Sequence, residues 1–357
     1  MITRKITKKE EEEVEVEVGA EVGAEVGAVE VGVGAGVEVG VGAGVDGKTW
    51  MGDFFQDEDT VFSKMKVIPT THNSGAVHSK NPWLCLPWQW AKCQSVSIYE
   101  QLNMGIRCLD LRLRLPVGGD AGGDTQAKRE DFLNRISIVH FFESSYSLQQ
   151  VFDDVARFLK EHDKETVFIM IKAEWKTRQQ WNREEIDLLW KQLFRLPYTL
   201  RTLGYGKSGT VSDWTFHYIR QKMVFLPGGR FYRAYKRGQD VYSIHGAQII
   251  PPSFFTKYSN WNSKTIEKAK ENIKSSMLVA LSGNYPIVET NVVRYGGAMP
   301  PYFVCKQMHL FLKDLLSDKC GGDGGVRLGV LLLDFCESSV IQALLKMNND
   351  NKDVEDA

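Results

Sequence analysis

The sequence predicts an α/β protein, and within that class a TIM-type (β/α) barrel, regular or irregular, preceded by a disordered tail. Three observations carry this. From Thr49 onward, over about 300 residues, short apolar runs alternate with stretches of helical period, as expected of parallel βα units. Several of the runs end on a histidine or a charged residue. No GxGxxG-type fingerprint follows the first run, which weakens the runner-up, a doubly wound open sheet.

Residues 1–47 come first, a Glu/Val/Gly/Ala tract of low complexity that includes "EVEVEVGAEVGAEVGAVEVGVGAGVEV". Val/Glu alternation has strand period, but the glycines raise the entropic cost of order and the glutamates repel one another. Only Ile2 and Ile6 offer long aliphatic side chains before Trp50, so no core can form, and disorder is expected. Residues 48–348 are the barrel, and residues 349–357 an acidic C-terminal tail.

Within the barrel, "KVIPTTHNSG" runs from an apolar strand into a turn-forming cluster at His72. Taken alone, that histidine reads as a loop cap. "NPWLCLPWQW" follows, with Trp83, Trp88 and Trp90 either packed inward or set at a lipid interface, where an indole keeps its N–H satisfied. "GIRCLDLRLR" separates its faces with period two. Leu109, Leu111 and Leu113 point toward surrounding helices, leaving Asp110 and Arg112 inside near the strand's C-terminal end, or else on a solvated edge.

"RISIVHFF" ends in His140. "SLQQVFDDVARFLKEH" carries a helical stripe of Leu148, Val151, Phe152, Val155, Phe158 and Leu159, with Ser147 as N-cap. "TVFIMIKAEW" ends with Lys172 and Glu174 on one face. "NREEIDLLWKQLFRL" is a second amphipathic helix, through Ile186, Leu189, Trp190 and Leu193, stopping before Pro197. "KMVFLPGG" and "SMLVALSG" add apolar runs, and "YSIHGAQIIPPSFF" with "SNWNSKTIEKAKENI" a later strand and helix. "LGVLLLDFCE" closes the series at Asp334.

Composition narrows the function. Of the chain's 357 residues, 43% are hydrophobic, enough for one large domain or two modest ones. The net charge of -1 hides an asymmetry: residues 1–46 hold ten Glu and one Asp against four Lys and Arg, a balance of -7, which leaves +6 on the remainder. A mildly basic body suits an anionic partner, and no nucleic-acid motif is present. Six cysteines are scattered without CxxC pairs, which points to free thiols in a reducing compartment and away from zinc. Cys93 reads as a structural thiol rather than an acylation site. No uncharged apolar run approaches a membrane span. The expected location is therefore cytoplasmic, peripherally associated with membrane, with no protein partner.

The chemistry follows from the strand ends. A charge placed unpaired in a dry core costs several kcal/mol, so five strands ending in polar groups argue for a common purpose. In a parallel barrel all C-terminal strand ends gather at one face. His72, Asp110, Arg112, His140, Lys172 and Asp334 would meet there, which turns His72 from loop cap into candidate catalytic residue. Two histidines, an arginine and carboxylates suit phosphodiester cleavage. One histidine accepts a proton from an attacking hydroxyl and the other protonates the leaving oxygen. The Arg112 fork suits a phosphate gaining charge, and Asp334 would hold His72 in the useful tautomer.

These residues carry a family resemblance. "IPTTHNSG", "MGIRCLDLRL", the strand ending in His140 and "LLLDF", in that order over roughly residues 60–340, resemble the X region of phosphatidylinositol-specific phospholipases C. They are most similar to the compact bacterial and trypanosomal forms, which cleave glycosylphosphatidylinositol. The resemblance implies a TIM-type barrel that cleaves phosphatidylinositol, or a glycosylated derivative, to diacylglycerol and inositol 1,2-cyclic phosphate. It implies His72 as general base toward the inositol 2-hydroxyl, Arg112 as phosphate ligand, Asp110 as its support, His140 as general acid and Asp334 as the carboxylate behind the base.

Asn73, Lys172, Glu174, Arg230 and Gln248 are the implied substrate contacts, and the tryptophans the membrane contact. No cofactor is expected. The calcium-dependent animal enzymes have acidic residues where this chain has Arg112 and Lys172, and two cations there would repel the ion. Two positions depart from the bacterial pattern. Asn73 replaces an Asp that would charge-support His140, and Phe141 replaces a glycine, which leaves Glu143 as a possible compensating charge. The competing readings are a glycerophosphodiesterase-like barrel, which would need an acidic metal site, and an inactive phosphoinositide-binding relative.

Overall fold

The computed structural model describes residues 44–57, 59–61, 64–81, 89–114, 132–174, 181, 183–200, 214–227, 255–258, 265–281, 287–291, 301–319 and 329–349. The expectations for the tract before Gly44, for Trp83, Trp88, Arg230 and Gln248, and for the acidic end beyond Asn349 lie outside these residues.

Parallel strands follow one another in chain order, in two runs joined where the last strand meets the first. β1 (Val67–Thr71) pairs with β2 (Cys108–Arg114), β2 with β5 (Thr166–Ala173), and β5 with β6 (Lys222–Pro227). β7 (Phe255–Tyr258) pairs with β8 (Ile287–Asn291), and β8 with β9 (Gly329–Leu333). β9 then returns to β1, Thr71 standing opposite Leu333. A last strand that hydrogen-bonds to the first is expected of a barrel, which closes fully only when every strand has two neighbours. Among the described residues the seam lies between β6 and β7.

Register sorts the side chains into rows. Thr70 faces Leu332 and Cys108, and Cys108 faces Phe168; two residues on, Asp110 faces Met170; two further, Arg112 faces Lys172. The lower row is apolar apart from Thr70, the middle row pairs Asp110 with an apolar methionine, and the upper row is charged. The alternate residues Leu109, Leu111 and Leu113 are fully buried on the other face, as the two-residue period requires.

Helices cover that outer face. α4 (Leu148–Glu161) buries the six-residue stripe expected of it, and Ser147 closes a capping box with Gln150. α2 (Ile98–Met104) has the same box between Ser97 and Glu100. It ends at Gly105, whose φ of 115° an L side chain rarely adopts. α5 (Arg183–Leu193) buries Ile186, Leu189, Trp190 and Leu193. α7 (Ile266–Leu281), α8 (Pro301–Lys319) and α9 (Ser338–Asn349) pack a second apolar cluster against Val67, Leu331 and Leu333.

Two expectations need correction. "SMLVALSG" is not a strand, because its first six residues complete α7. Met, Leu and Ala continue a helix readily, and a short apolar run has no period of its own to tell helix from strand. "RISIVHFF" is not a parallel barrel strand either. β3 (Ser137–His140) runs antiparallel to the end of β2, with Arg114 opposite Ser137, and turns back into β4 (Phe142–Ser147). β5 fills one edge of β2, and β1 leaves the other edge free beyond Leu109. β3 takes up that free edge and heads back toward the end of β1.

Candidate active site

β1 delivers His72 and β9 delivers Asp334, each one residue past its strand. The pairing of Thr71 with Leu333 makes the two neighbours, and the His72 N–H donates to the Leu333 carbonyl at 2.9 Å. His72 Nδ1 lies 2.8 Å from Asp334 Oδ1, both residues buried. Two donors face the other ring nitrogen: Asn73 Nδ2 at 2.9 Å and Arg112 Nη2 at 3.2 Å from Nε2. The proton therefore sits on Nδ1, donated to Asp334, and Nε2 keeps its lone pair.

The antiparallel β3 brings His140 back over this pair. Gly75 in the turn after His72 makes room: a Cβ there would stand 2.7 Å from Cγ2 of Ile138. The two imidazole centroids are 5.9 Å apart and steeply inclined, at 73°. His140 Nδ1 donates to the Ala91 carbonyl at 2.6 Å and lies 3.3 Å from Cys93 Sγ. Burial, then the positive charge of Arg112 and that of His72 whenever it is protonated, pushes the His140 pKa down to about 3. The ring is thus neutral at rest, with its lone pair on Nε2.

Asp110 is fully buried. Burial alone would raise its pKa, but Lys172, His72 and Arg112 outweigh that and hold it well below the usual carboxylate range. Lys172 Nζ is 2.9 Å from Asp110 Oδ1, and Asp110 Oδ2 accepts the Asn73 N–H at 3.3 Å. Glu174, one residue past β5, is buried. Glu143 does not take the compensating role left open for it. Burial would raise its pKa, but Ser137 and Arg114 lower it, Arg114 at 3.2 Å, and the carboxylate that acts on His140 is Asp110.

Three residues that follow site residues adopt positive φ: Asn73 (43°), Phe141 (61°) and Phe335 (48°). Only the asparagine suits that region comfortably. Each turns the chain away at once after a site residue, leaving that residue at the lip of the barrel.

Among the described residues, one cluster could hold a metal ion: His72, Cys93 and Asp334. It fits calcium poorly. It offers one carboxylate where calcium takes six to eight oxygens, and Arg112 lies against it. Burial, then Asp334, pushes the Cys93 thiol well above its ordinary pKa. Cys93 is also buried, which removes it as an acylation site.

Sequence reasoning named Trp90 but missed the other residues of the exposed apolar rim around this centre. Trp90 (46% exposed) precedes Ala91, and Phe141 (37%) follows His140. Tyr302 and Phe303 stand exposed at the start of α8, Tyr302 against Phe335 at 5.3 Å between ring centroids. Of the three expected interfacial tryptophans, Trp90 is the one within the described residues, and it is exposed.

Comparison with known proteins agrees with this geometry. Residues 67–199 match the family described as phosphatidylinositol-specific phospholipase C, X domain. A 1-phosphatidylinositol phosphodiesterase from Listeria monocytogenes is 25% identical over 315 residues, covering 85% of this chain and 86% of the relative. The structure of a phosphatidylinositol-specific phospholipase C from that organism superimposes with a TM-score of 0.61 at 22% identity, over 85% of this chain and 99% of that one. A Staphylococcus aureus phosphatidylinositol-specific phospholipase C gives 0.59 at 16% identity, over 84% and 97%. These likenesses place the fold as a TIM-type barrel. The motifs, the site-bearing strands and the matched segment together make residues 67–199 similar to the phosphatidylinositol-specific phospholipase C X domain.

Proposed function

We propose that the chain cleaves phosphatidylinositol, or its glycosylated derivatives, to diacylglycerol and inositol 1,2-cyclic phosphate. The observation that carries this is one guanidinium, Arg112, lying against a histidine backed by a carboxylate, with a second histidine 5.9 Å away. His72 Nε2 takes the proton of the inositol 2-hydroxyl, whose oxygen attacks phosphorus. The bond from phosphorus to the glycerol oxygen breaks, and His140 supplies the proton that oxygen needs. Arg112 stabilises charge developing on the phosphate.

His140 is neutral in the free site, so it takes up its proton from solvent once the substrate is bound. The anionic phosphate, seated on Arg112, offsets one of the charges that depress the ring. Lys172, Asn73 and Glu174, with Arg230 and Gln248, are the proposed contacts to the head group.

The same geometry supports a metal-independent reaction, since Arg112 and Lys172 occupy the ground a cation would need. It disfavours a glycerophosphodiesterase-like site, which would gather acidic ligands. We place the protein at a membrane surface on the cytoplasmic side. Trp90, Phe141, Tyr302 and Phe303 give it an apolar rim, and no disulfide joins Cys93, Cys108, Cys305 and Cys336. No described helix is long and apolar enough to cross a membrane. Incubation with phosphatidylinositol in mixed micelles tests the proposal: inositol 1,2-cyclic phosphate is the expected water-soluble product, and its absence at any enzyme concentration would defeat the reading.

A further inference from the structure

Gln94 is fully buried and plays no part in the reaction just described. Its Nε2 donates to the carbonyls of His72 and Leu333, both at 2.9 Å. Its Oε1 accepts the Cys336 N–H at 3.3 Å. One side chain thus spans the ends of β1 and β9, where His72 and Asp334 emerge. The neighbouring backbone does related work. The Cys93 carbonyl accepts the Phe335 N–H at 2.6 Å, and the N–H groups of Cys93 and Gln94 both donate to Ala76. The Ala91 carbonyl fixes the His140 ring. Residues 91–94 therefore hold the chain at all three of His72, His140 and Asp334.

The other end of β1 offers a comparison within the same molecule. Asn348, also buried, accepts the Lys66 and Val67 N–H groups at 2.9 and 3.1 Å and donates to the Val67 carbonyl at 2.9 Å. Both ends of the strand are pinned by a buried amide, but only the Gln94 end carries chemistry.

We propose that Gln94 is a positioning residue for the reaction, an inference that rests on the phosphodiesterase reading above. It sets the separation and rotation of His72 relative to Asp334, so that the 2.8 Å contact at Nδ1 holds while Nε2 aims at the substrate hydroxyl. Misplacing a reacting group by about 1 Å costs on the order of 10²-fold in rate. Gln94 faces strand ends rather than the open site, so its loss acts on kcat and leaves KM nearly unchanged.

The test compares Gln94→Leu, Gln94→Glu and Asn348→Leu with the parent protein. Three quantities are read: kcat and KM on phosphatidylinositol per folded molecule, the pH profile of kcat, and the imidazole N–H resonance of the His72–Asp334 pair without substrate. Gln94→Leu is expected to lose roughly 10²-fold in kcat and to shift or lose that resonance. Gln94→Glu keeps an acceptor for Cys336, and when protonated can donate to one carbonyl, so its deficit narrows as pH falls. Asn348→Leu is expected to melt lower yet keep the parent kcat and resonance.

Equal kcat losses at the two ends of β1, or parent-like kcat and resonance in Gln94→Leu, would overturn the proposal. Should Gln94→Leu fail to fold, the Glu variant carries the same comparison. A parent protein without turnover would defeat the reaction itself, while the resonance would still decide whether Gln94 positions His72.

Discussion

The burial of His140 links its proposed role as general acid to the acid stability of the fold. Burial and the nearby cations hold its pKa at about 3, against an ordinary value of 6.5. Between those values the unfolded chain binds a proton that the folded chain refuses. The contribution is fully present above pH 6.5 and is lost as pH falls toward 3. At ~1.4 kcal/mol per pK unit, the stake is a few kcal/mol. Asp110 adds to the same trend lower down, its stabilisation fading as pH falls below 3.8 toward its depressed folded value. Chemical denaturation of the parent and of His140→Gln between pH 7 and 4 checks this. The variant is expected to lose stability less steeply, and parallel curves would show that His140 accepts a proton freely when folded.

At the scale of elements, alternation within β2 and the polar ends of β1, β5 and β9 were legible, because a two-residue period survives in sequence. Strand direction leaves no such trace, so β3 read as one more parallel strand although it returns His140 against the barrel. Nor could sequence show Gln94 at its post, because its partners lie 22 and 239 residues away and a lone buried amide has no period.

A second device was equally hidden. Arg107, fully buried, pairs with Glu165 at 2.7 Å and donates to the carbonyls of Gly47, Lys48, Leu102 and Ile106. Glu165 in turn accepts N–H groups from Met51 and Gly52 at the start of α1 (Trp50–Phe54). This lock ties the entering chain to the end of the barrel remote from the site. Glu165→Ala strands a buried guanidinium, and the expected loss is about 3–5 kcal/mol. Turnover per folded molecule should be unchanged. A loss below ~1 kcal/mol, the range of exposed pairs, would mean that the lock is solvated.

For the whole molecule, a charged centre ringed by exposed aromatics supports the proposal of an enzyme that works where water meets lipid. Trp90→Ala with Phe303→Ala is expected to weaken vesicle binding while turnover of a soluble monomeric substrate persists. Parental vesicle binding with a lowered melting point would instead make these core residues. Strong chelation is expected to leave turnover intact, because Arg112 and Lys172 already supply the positive charge. Loss in EDTA restored by calcium would contradict that.

The most direct measurement concerns the division of labour between the histidines. A substrate with an aryl leaving group does not need its leaving oxygen protonated, whereas the natural lipid leaves as a poor alkoxide. General acid catalysis contributes ~10²–10⁴-fold. His140→Ala is therefore expected to lose far less activity on an aryl phosphoinositol than on phosphatidylinositol, while His72→Ala is severe on both. Equal loss ratios for the two variants would contradict the assignment of His72 as base and His140 as acid.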